Sequence, residues 1–156
     1  MGKTKYNLGG GANYLCLPLD PEFPDNKQTG FHSGSYIYGV EYKKWNSEIF
    51  FADVNHQDAP CAVCEVQGRS QVLMIPAKKT YPAGWTLEYE GLLASEHHTH
   101  STSEFICVSS GMEVRDGGQA VDIHGGYLFV VEASCGALPC PPYTHGYELT
   151  CAVCTK

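Results

Sequence analysis

Short runs of apolar and aromatic residues alternate along the chain with turns rich in glycine, proline and acidic residues. Residues 71–76 are almost continuously apolar, and residues 85–89 alternate in polarity as a half-buried strand does. Further strands are predicted at 12–17, 35–42, 49–54, 126–132 and 147–155. No convincing amphipathic helical pattern accompanies them. The pattern therefore predicts a mostly β fold.

Three blocks of this pattern repeat in the same order with a period of about 90 residues. The tetrapeptide Cys-Ala-Val-Cys occurs at 61–64 and again at 151–154. The run at 13–17 matches 104–108, and the run at 35–41 matches 126–132. A period of this length is typical of a duplicated half-domain rather than a solenoid. We therefore expect a single domain, 1–156, built from two similar halves at about 9–68 and 69–156.

Composition narrows the class of protein. The formal net charge of −7 argues against binding to nucleic acid or to anionic membrane surfaces. No apolar run approaches the ~20 residues that span a bilayer. No hydrophobic stretch follows Met1, so no signal peptide is expected, and a secreted protein would be present here in its processed form.

The eight cysteines indicate the compartment. Two Cys-x-x-Cys pairs are compatible with zinc, but zinc sites have short gaps between pairs, and Cys64 and Cys151 are far apart. The cysteines also fall at repeated positions in β-rich blocks, as disulfide cysteines would. Disulfides are the favoured interpretation, with zinc as the alternative, and they predict a secreted, extracellular protein.

Several segments together resemble a known family, the short-chain, spongin-like collagen C-terminal domains of sponges and cnidarians. These domains are similar to the non-collagenous C-terminal domain of type IV collagen, itself a tandem duplication. The resemblance implies a compact, disulfide-bonded β fold with pseudo-twofold halves. The segments that carry it are DAPCAVCEV (58–66), LMIPA (73–77), PAGWTLEYEG (82–91), SEHHTH (95–100), SEFICV (103–108), LPCPPY (138–143) and ELTCAVCTK (148–156).

Two departures from that family matter. The chain has no Gly-X-Y repeat, so it is not a collagen chain. The family usually has a cysteine before Pro-x-Gly-Trp, where this chain has Tyr81. The family pattern carried over residue by residue implies three disulfides: Cys16–Cys61, Cys107–Cys151 and Cys135–Cys140. It leaves Cys64 and Cys154 without family partners, to bridge each other or a second chain. We expect the second arrangement, a disulfide-linked homodimer.

The family includes a free-standing lectin that binds galactose with the help of calcium. The resemblance therefore implies a secreted, galactose-specific, calcium-dependent carbohydrate-binding protein that recognises galactose-terminated glycans and is not an enzyme. A structural assembly module of the extracellular matrix is the second hypothesis. A cupin-type metal enzyme is the third.

The stretch 96–100 is the densest in chemical groups. In an extended strand, Glu96, His98 and His100 would share one face and could bind a metal ion or sugar hydroxyls. The alternative is a structural polar cluster, satisfied by the backbone and by Ser103 or Glu104. The spacing of His98, His100, Glu104 and Gly111 also nearly matches a cupin metal motif, and only His124 and His145 could loosely replace the missing second half of that motif.

The remaining site predictions concern calcium and the sugar ring. Calcium prefers carboxylate, amide and carbonyl oxygens, which the acidic loops at 20–28 and 53–58 offer. An aromatic ring would contact the apolar face of galactose; Tyr143, Tyr147 and Trp85 are the candidates. The predicted calcium ligands are Asp53, Asn55, Asp58 and Glu96. The predicted sugar-binding residues are Glu96, His98, His100, Glu104 and Tyr143.

Overall fold

The regular structure of the chain consists of β-strands. The computed structural model describes residues 11–32, 34–44, 51, 53–117 and 125–156. Across these residues no helix occurs, and so none is available that could cross a membrane. The six strands are β1 (Val40–Tyr42), β2 (Val72–Pro76), β3 (Thr86–Ser95), β4 (Ile106–Ser109), β5 (Gly126–Val130) and β6 (Thr150–Thr155).

The strands pair in the order β1-β5-β3-β6-β2, and β4 pairs with β3 off this path. Every pair is antiparallel except β1 and β5, which run parallel. The ten-residue strand β3 pairs with β4, β5 and β6. Strand β2 forms one end of the order, with β6 as its neighbour.

A glycine allows β3 to pair with two strands at one position. Gly91 is paired with Ser109 of β4 and with Cys151 of β6. A Cβ atom at Gly91 would overlap the backbone carbonyl of Val108. The close approach of two backbones therefore requires glycine at this point.

The interior contains two apolar clusters. The first joins β1, β3, β4 and β5 through Val40, Tyr42, Phe51, Ala94, Val108 and Leu128. The second is centred on Leu93, Cys107 and Cys151, with Met74 and Val153 packed against it. The Cys107–Cys151 disulfide thus lies inside the core, where it joins β4 to β6.

All eight cysteines lie in the described part of the chain. Six of them form the disulfides Cys16–Cys61, Cys107–Cys151 and Cys135–Cys140, the same pairs that the family resemblance implies. The remaining two, Cys64 and Cys154, are free thiols and are not bonded to each other. Because Cys61 and Cys151 are bonded elsewhere, the two Cys-x-x-Cys pairs do not form the alternative zinc site.

A pattern of backbone hydrogen bonds occurs in both halves of the chain. The N–H of Ala59 donates to the carbonyl of Val40 at 2.9 Å, and the N–H of Leu149 donates to that of Val131 at 2.8 Å. Donors and acceptors are offset by 90 or 91 residues, the period of the sequence repeat. Three further pairs of hydrogen bonds from a backbone N–H to a backbone carbonyl show the same offset. They are Tyr42 to Gln57 with Ala133 to Tyr147, His56 to Tyr42 with Gly146 to Ala133, and Gln57 to Val54 with Tyr147 to Thr144.

The mostly β, disulfide-bonded fold expected from the sequence is confirmed. Strand predictions were less accurate in the first half. Residues 12–17 are not assigned to a strand, only Val40–Tyr42 of the run 35–42 is a strand, and 49–54 lies partly outside the described residues. The duplication, the division at about 68 and the likeness to collagen domains stay predictions.

Candidate functional site

A cavity of about 870 Å³ opens beside the turn that follows β3. Four segments contribute to its lining: the residues after β1, the turn after β3, the end of β5 with the residues after it, and the residues before β6. We call it the histidine cavity. Its lining residues include His97, His98, His100, His145, Phe129, Glu132, Glu148 and Lys44.

The stretch 96–100 is a turn and not the extended strand expected from the sequence. Strand β3 ends at Ser95, and the N–H of His100 then donates to the carbonyl of His97 at 2.9 Å. The alternation that would have placed Glu96, His98 and His100 on one face is therefore absent, and that prediction was wrong. The turn instead directs all three histidines of the stretch, including His97, to the cavity.

The Glu96 carboxylate holds the turn together. Its Oε1 accepts hydrogen bonds from the backbone N–H of His97 at 3.1 Å and from Nδ1 of His100 at 2.8 Å. Its Oε2 accepts one from the backbone N–H of Tyr127, at the start of β5, at 2.9 Å. The side chain is only 6% exposed. A buried carboxylate with three donors fastens the turn to β5, which matches the structural alternative for this residue.

Ser103 connects the turn to the first half of the chain. Its Oγ accepts from the backbone N–H of Glu96 at 3.1 Å and lies 2.8 Å from the Tyr14 hydroxyl. Burial is the main cause that raises the pKa of Tyr14; Glu96 and Glu104 also raise it, against the Ser103 hydrogen bond. The phenol therefore stays neutral and can bond to Ser103 throughout the physiological range.

The imidazole rings of the turn pack on each other and on Phe129. The His97 ring centroid lies 4.1 Å from that of His98, 5.2 Å from His100 and 5.0 Å from Phe129. Burial is the main cause that lowers the pKa of His97. The neighbouring His98 and His100 lower this pKa further, whereas Glu96 raises it. At neutral pH the cluster therefore includes a neutral imidazole, and all four rings line the cavity.

Hydrogen-bond partners assign the tautomers of two of these rings. Nδ1 of His97 accepts from the backbone N–H of Thr99 at 3.3 Å and lies 2.8 Å from the Thr99 hydroxyl, an arrangement in which the neutral ring carries its proton on Nε2. Nδ1 of His100 donates to Glu96, which leaves Nε2 as an acceptor in the neutral ring. The pair thus offers one donor and one acceptor, the combination that a hydroxyl group requires.

The structure places only part of the predicted sugar-binding set at this cavity. Glu96, His98 and His100 line it, whereas Glu104 and Tyr143 are not among its described lining residues. Glu104 bonds through its backbone N–H to Ala12. Tyr143 bonds through its backbone N–H to Pro139.

Three of the four predicted calcium ligands are engaged in other contacts. Asn55 Oδ1 accepts from the backbone N–H of Lys44 at 3.0 Å, and Asp58 pairs with Arg115 at 3.6 Å. Glu96 already accepts three hydrogen bonds, and Asp53 is exposed. Within 11–117 and 125–156, apart from the undescribed gaps, no three His, Cys, Asp or Glu side chains form a group that could hold a metal ion. These residues therefore do not fit a calcium site.

The cupin-like constellation is not assembled either. His98 and His100 line the cavity, but Glu104 is not among its lining residues. His124 lies outside the described residues. The third hypothesis therefore receives no support from the site.

Sequence reasoning missed several residues that the fold brings to the cavity. Phe129 comes from β5, while Glu132 and Glu148 face each other across an isolated antiparallel bridge. Glu148 belongs to the repeated pattern, since Asp58 occupies the equivalent bridge opposite Glu41. The repeat therefore contained a signal for the carboxylate pair, whereas nothing in the sequence indicated Phe129.

The two free thiols have opposite environments. Cys64 is exposed, and Cys154 is completely buried in β6. Burial raises the pKa of the Cys154 thiol, and Glu88 adds to this. Cys154 therefore cannot reach a second chain while the sheet is intact, which corrects the expectation that both cysteines are available for an interchain bridge. Cys64 alone is placed for that role.

No protein-family model matches the chain, and no curated protein or solved structure is significantly similar to it.

Proposed function

We propose that the protein is a secreted lectin that binds galactose-terminated glycans in the histidine cavity. The observation that carries the proposal is the cluster of His97, His98 and Phe129 rings in a cavity that two carboxylates also line. Lectins contact the apolar face of galactose with flat rings and bind its hydroxyls with fixed donors and acceptors. Both kinds of group are present here.

Each part of the cavity has a distinct role in this proposal. The ring cluster takes the apolar face of the sugar. Nε2 of His97 donates to a hydroxyl and Nε2 of His100 accepts from one. Glu132 and Glu148 accept from hydroxyls nearer to solvent, because both line the cavity and are opposite each other in the bridge. Glu96 acts indirectly by holding His100.

A single sugar offers few groups to be buried in the cavity, so affinity should be weak. We expect dissociation constants of about a millimolar to a micromolar, as is usual when few groups are buried on binding. Useful binding to cell surfaces or matrix then needs two or more sites on one particle.

We also propose that the chain is a tandem duplication of the type found in collagen C-terminal domains. The four repeated hydrogen bonds support this, since their offset equals the sequence period. The disulfides support it as well, because Cys16–Cys61 spans 45 residues and Cys107–Cys151 spans 44 at equivalent positions. Three disulfides in a chain of this size support an oxidising, extracellular location.

Calcium plays no part in the proposed contacts, since the residues present do not fit a calcium site. A calcium requirement, as implied by the resemblance, is tested by adding a chelator to the binding assay.

The test is retention on immobilised galactose by wild type and by His98→Ala. His98 is exposed, so its removal should abolish or strongly reduce retention while leaving the thermal midpoint unchanged. The matched control is His32→Ala, an exposed histidine outside the cavity, which should be retained like wild type. Wild type that passes through galactose, glucose and mannose columns alike would end the proposal.

The second candidate function is a structural assembly module without ligand. It is favoured by the Glu96 and Ser103 hydrogen bonds, which use the polar groups of the turn to join segments of the fold. A module of this kind would show no galactose retention, with or without chelator, and would still associate with copies of itself or with matrix proteins.

A further inference from the structure

The two copies of Cys-Ala-Val-Cys have identical sequences and opposite environments. The copy at 151–154 lies in β6, paired with β2 and with β3, and its Cys154 is fully buried. The copy at 61–64 is exposed throughout, and Val63 is 87% exposed. No strand of the described residues pairs with it. We call this copy the uncovered tetrapeptide.

The neighbouring repeat block is exposed in the same way. Leu17 is 56% exposed, whereas its equivalent in the second half, Val108 of β4, is 7% exposed. The block at 13–17 is joined to the uncovered tetrapeptide by the Cys16–Cys61 disulfide, with 5.3 Å between Cα atoms. The exposed apolar residues therefore belong to adjacent segments, whose equivalents in the second half are covered by β2 and β3.

The strand that covers the buried copy has a second, open edge. Strand β2 pairs with it in antiparallel register, from Leu73 opposite Cys154 to Pro76 opposite Cys151. The backbone N–H and carbonyl of Gln71 both bond to Lys156. In an antiparallel pair the backbone groups of every second residue point to the same neighbour, so those of Gln71, Leu73 and Ile75 face β6. The backbone groups of Val72 and Met74 consequently face away from it.

This outer edge lacks the usual protection of an edge strand. Residues 71–77 contain no charged side chain, Val72 is 73% exposed, and β2 ends the strand order. An uncharged, apolar edge is a template for pairing with another strand. The edge is also short, because Pro76 has no N–H to donate.

We propose that the outer edge of β2 in one chain pairs with the uncovered tetrapeptide of a second copy, and the reverse, in a twofold-symmetric dimer. The occupant is a second copy because two strands of this chain, β2 and β3, already pair with the β6 copy of this tetrapeptide, and β2 has an unpaired outer edge. Each β2 then lies between two copies of Cys-Ala-Val-Cys, one from each chain. Because a twofold axis relates the two chains, both β2 edges and both uncovered tetrapeptides are paired at the same time.

The charges next to the two segments agree with this pairing. Lys78 and Lys79 follow β2, and Asp58 precedes the uncovered tetrapeptide; Lys79 also pairs with Glu90 and Asp58 with Arg115 on the surface of the same chain. In an antiparallel alignment these ends meet, and unlike charges face each other. The same arrangement occurs within the chain, where Glu148 precedes the β6 copy.

The dimer is held by backbone pairing and apolar contact, so it needs no interchain disulfide. Cys64 becomes covered on association, and Cys154 is buried in either state. The proposed dimer does not depend on sugar binding, and its test measures only the association of the chains.

The test is sedimentation of the full chain over a range of concentrations, in the presence of a reductant too mild to open any of the three intrachain disulfides. Wild type should approach twice the 17.1 kDa chain mass as concentration rises. Val63→Glu and Val72→Glu each place a charge in the pairing and should leave only monomer. Val114→Glu, the same change at another exposed valine, should dimerise like wild type. Unchanged circular dichroism verifies that each variant is folded.

A second measurement follows the Cys64 thiol. Its maleimide labelling rate should fall at least tenfold across the concentrations where dimer forms, while Cys154 stays unlabelled throughout. Wild type that remains monomeric at millimolar concentration would overturn the proposal. So would a dimer that disappears in Cys64→Ser, or one that survives in both Val63→Glu and Val72→Glu.

Discussion

The backbone N–H of Tyr127 donates a 2.9 Å hydrogen bond to Oε2 of Glu96, across 31 residues of sequence. This bond connects the first residues of β5 to the turn that carries three histidines. The Tyr127 side chain is almost completely buried, so its backbone forms a rigid anchor. The position of the histidine turn therefore depends on a carboxylate that does not itself face outward.

Glu96→Gln should destabilise the protein. The amide has a single acceptor oxygen, so one of the N–H donors of His97, His100 or Tyr127 loses its partner or faces the new NH₂ group. We expect a loss of about 2 kcal/mol, which corresponds to a fall of about 4–8 °C in thermal midpoint. Thermal unfolding by circular dichroism measures it, with the exposed Glu104→Gln as control. Equal midpoints for the two variants would contradict the anchoring role of Glu96.

His97 should make stability depend on pH in the acidic range. Because its pKa is lowered in the folded state, the unfolded chain binds a proton first as pH falls below about 6.5. Stability is therefore present above that pH and is lost as pH falls towards the folded-state value. Midpoints measured from pH 7.5 to 5 should fall less steeply in His97→Gln than in wild type. His32→Gln should keep the wild-type slope, and a His97→Gln slope equal to it would disprove the prediction.

Gly91→Ala should be strongly destabilising. The new methyl group would overlap the carbonyl of Val108, and two paired backbones would have to separate. We expect a loss of about 3 kcal/mol, at the upper end for an overpacked site. Gly111→Ala is the matched control, since its nearest neighbour would be the Ser109 hydroxyl at 3.8 Å. Denaturant unfolding of both variants checks this, and comparable midpoints would argue against the close approach.

The two free thiols should react very differently. At low protein concentration, native protein should take up one equivalent of iodoacetamide, at Cys64, and denatured protein should take up two. The raised pKa of Cys154 adds to its burial, since the thiolate is the reactive form. Mass spectrometry of digested protein locates the label. Rapid labelling of Cys154 in native protein would show that β6 is more accessible than the structure indicates.

Local sequence predicted the second half of the fold better than the first. The apolar run at 71–76 and the alternating run at 85–89 became β2 and the start of β3, because each finds a partner strand. Residues 12–17 have the same character, and their exposure alternates as in a strand, but no described strand pairs with them. A segment forms a strand only where another strand pairs with it, and the local sequence does not show whether such a partner strand is present.

The site was harder to predict for the same reason. The shared face of Glu96, His98 and His100 required an extended strand, but β3 ends at Ser95 and the stretch forms a turn in which Glu96 bonds to Tyr127. The two Cys-Ala-Val-Cys copies show most clearly that local sequence does not determine burial, since the same four residues are exposed at 61–64 and largely buried at 151–154. Ligand types could be predicted from the sequence, whereas their arrangement depended on contacts between distant segments.

The three disulfides close loops at 16–61, 107–151 and 135–140, and none of them crosses from one half to the other. A protease cut in the turn at 77–85 would leave the native particle whole, because β1 remains paired with β5. In denaturant without reductant, the same cut chain would separate into two fragments, each closed by its own crosslinks. The crosslinks of the two fragments are therefore covalently independent, and only non-covalent contacts join one fragment to the other.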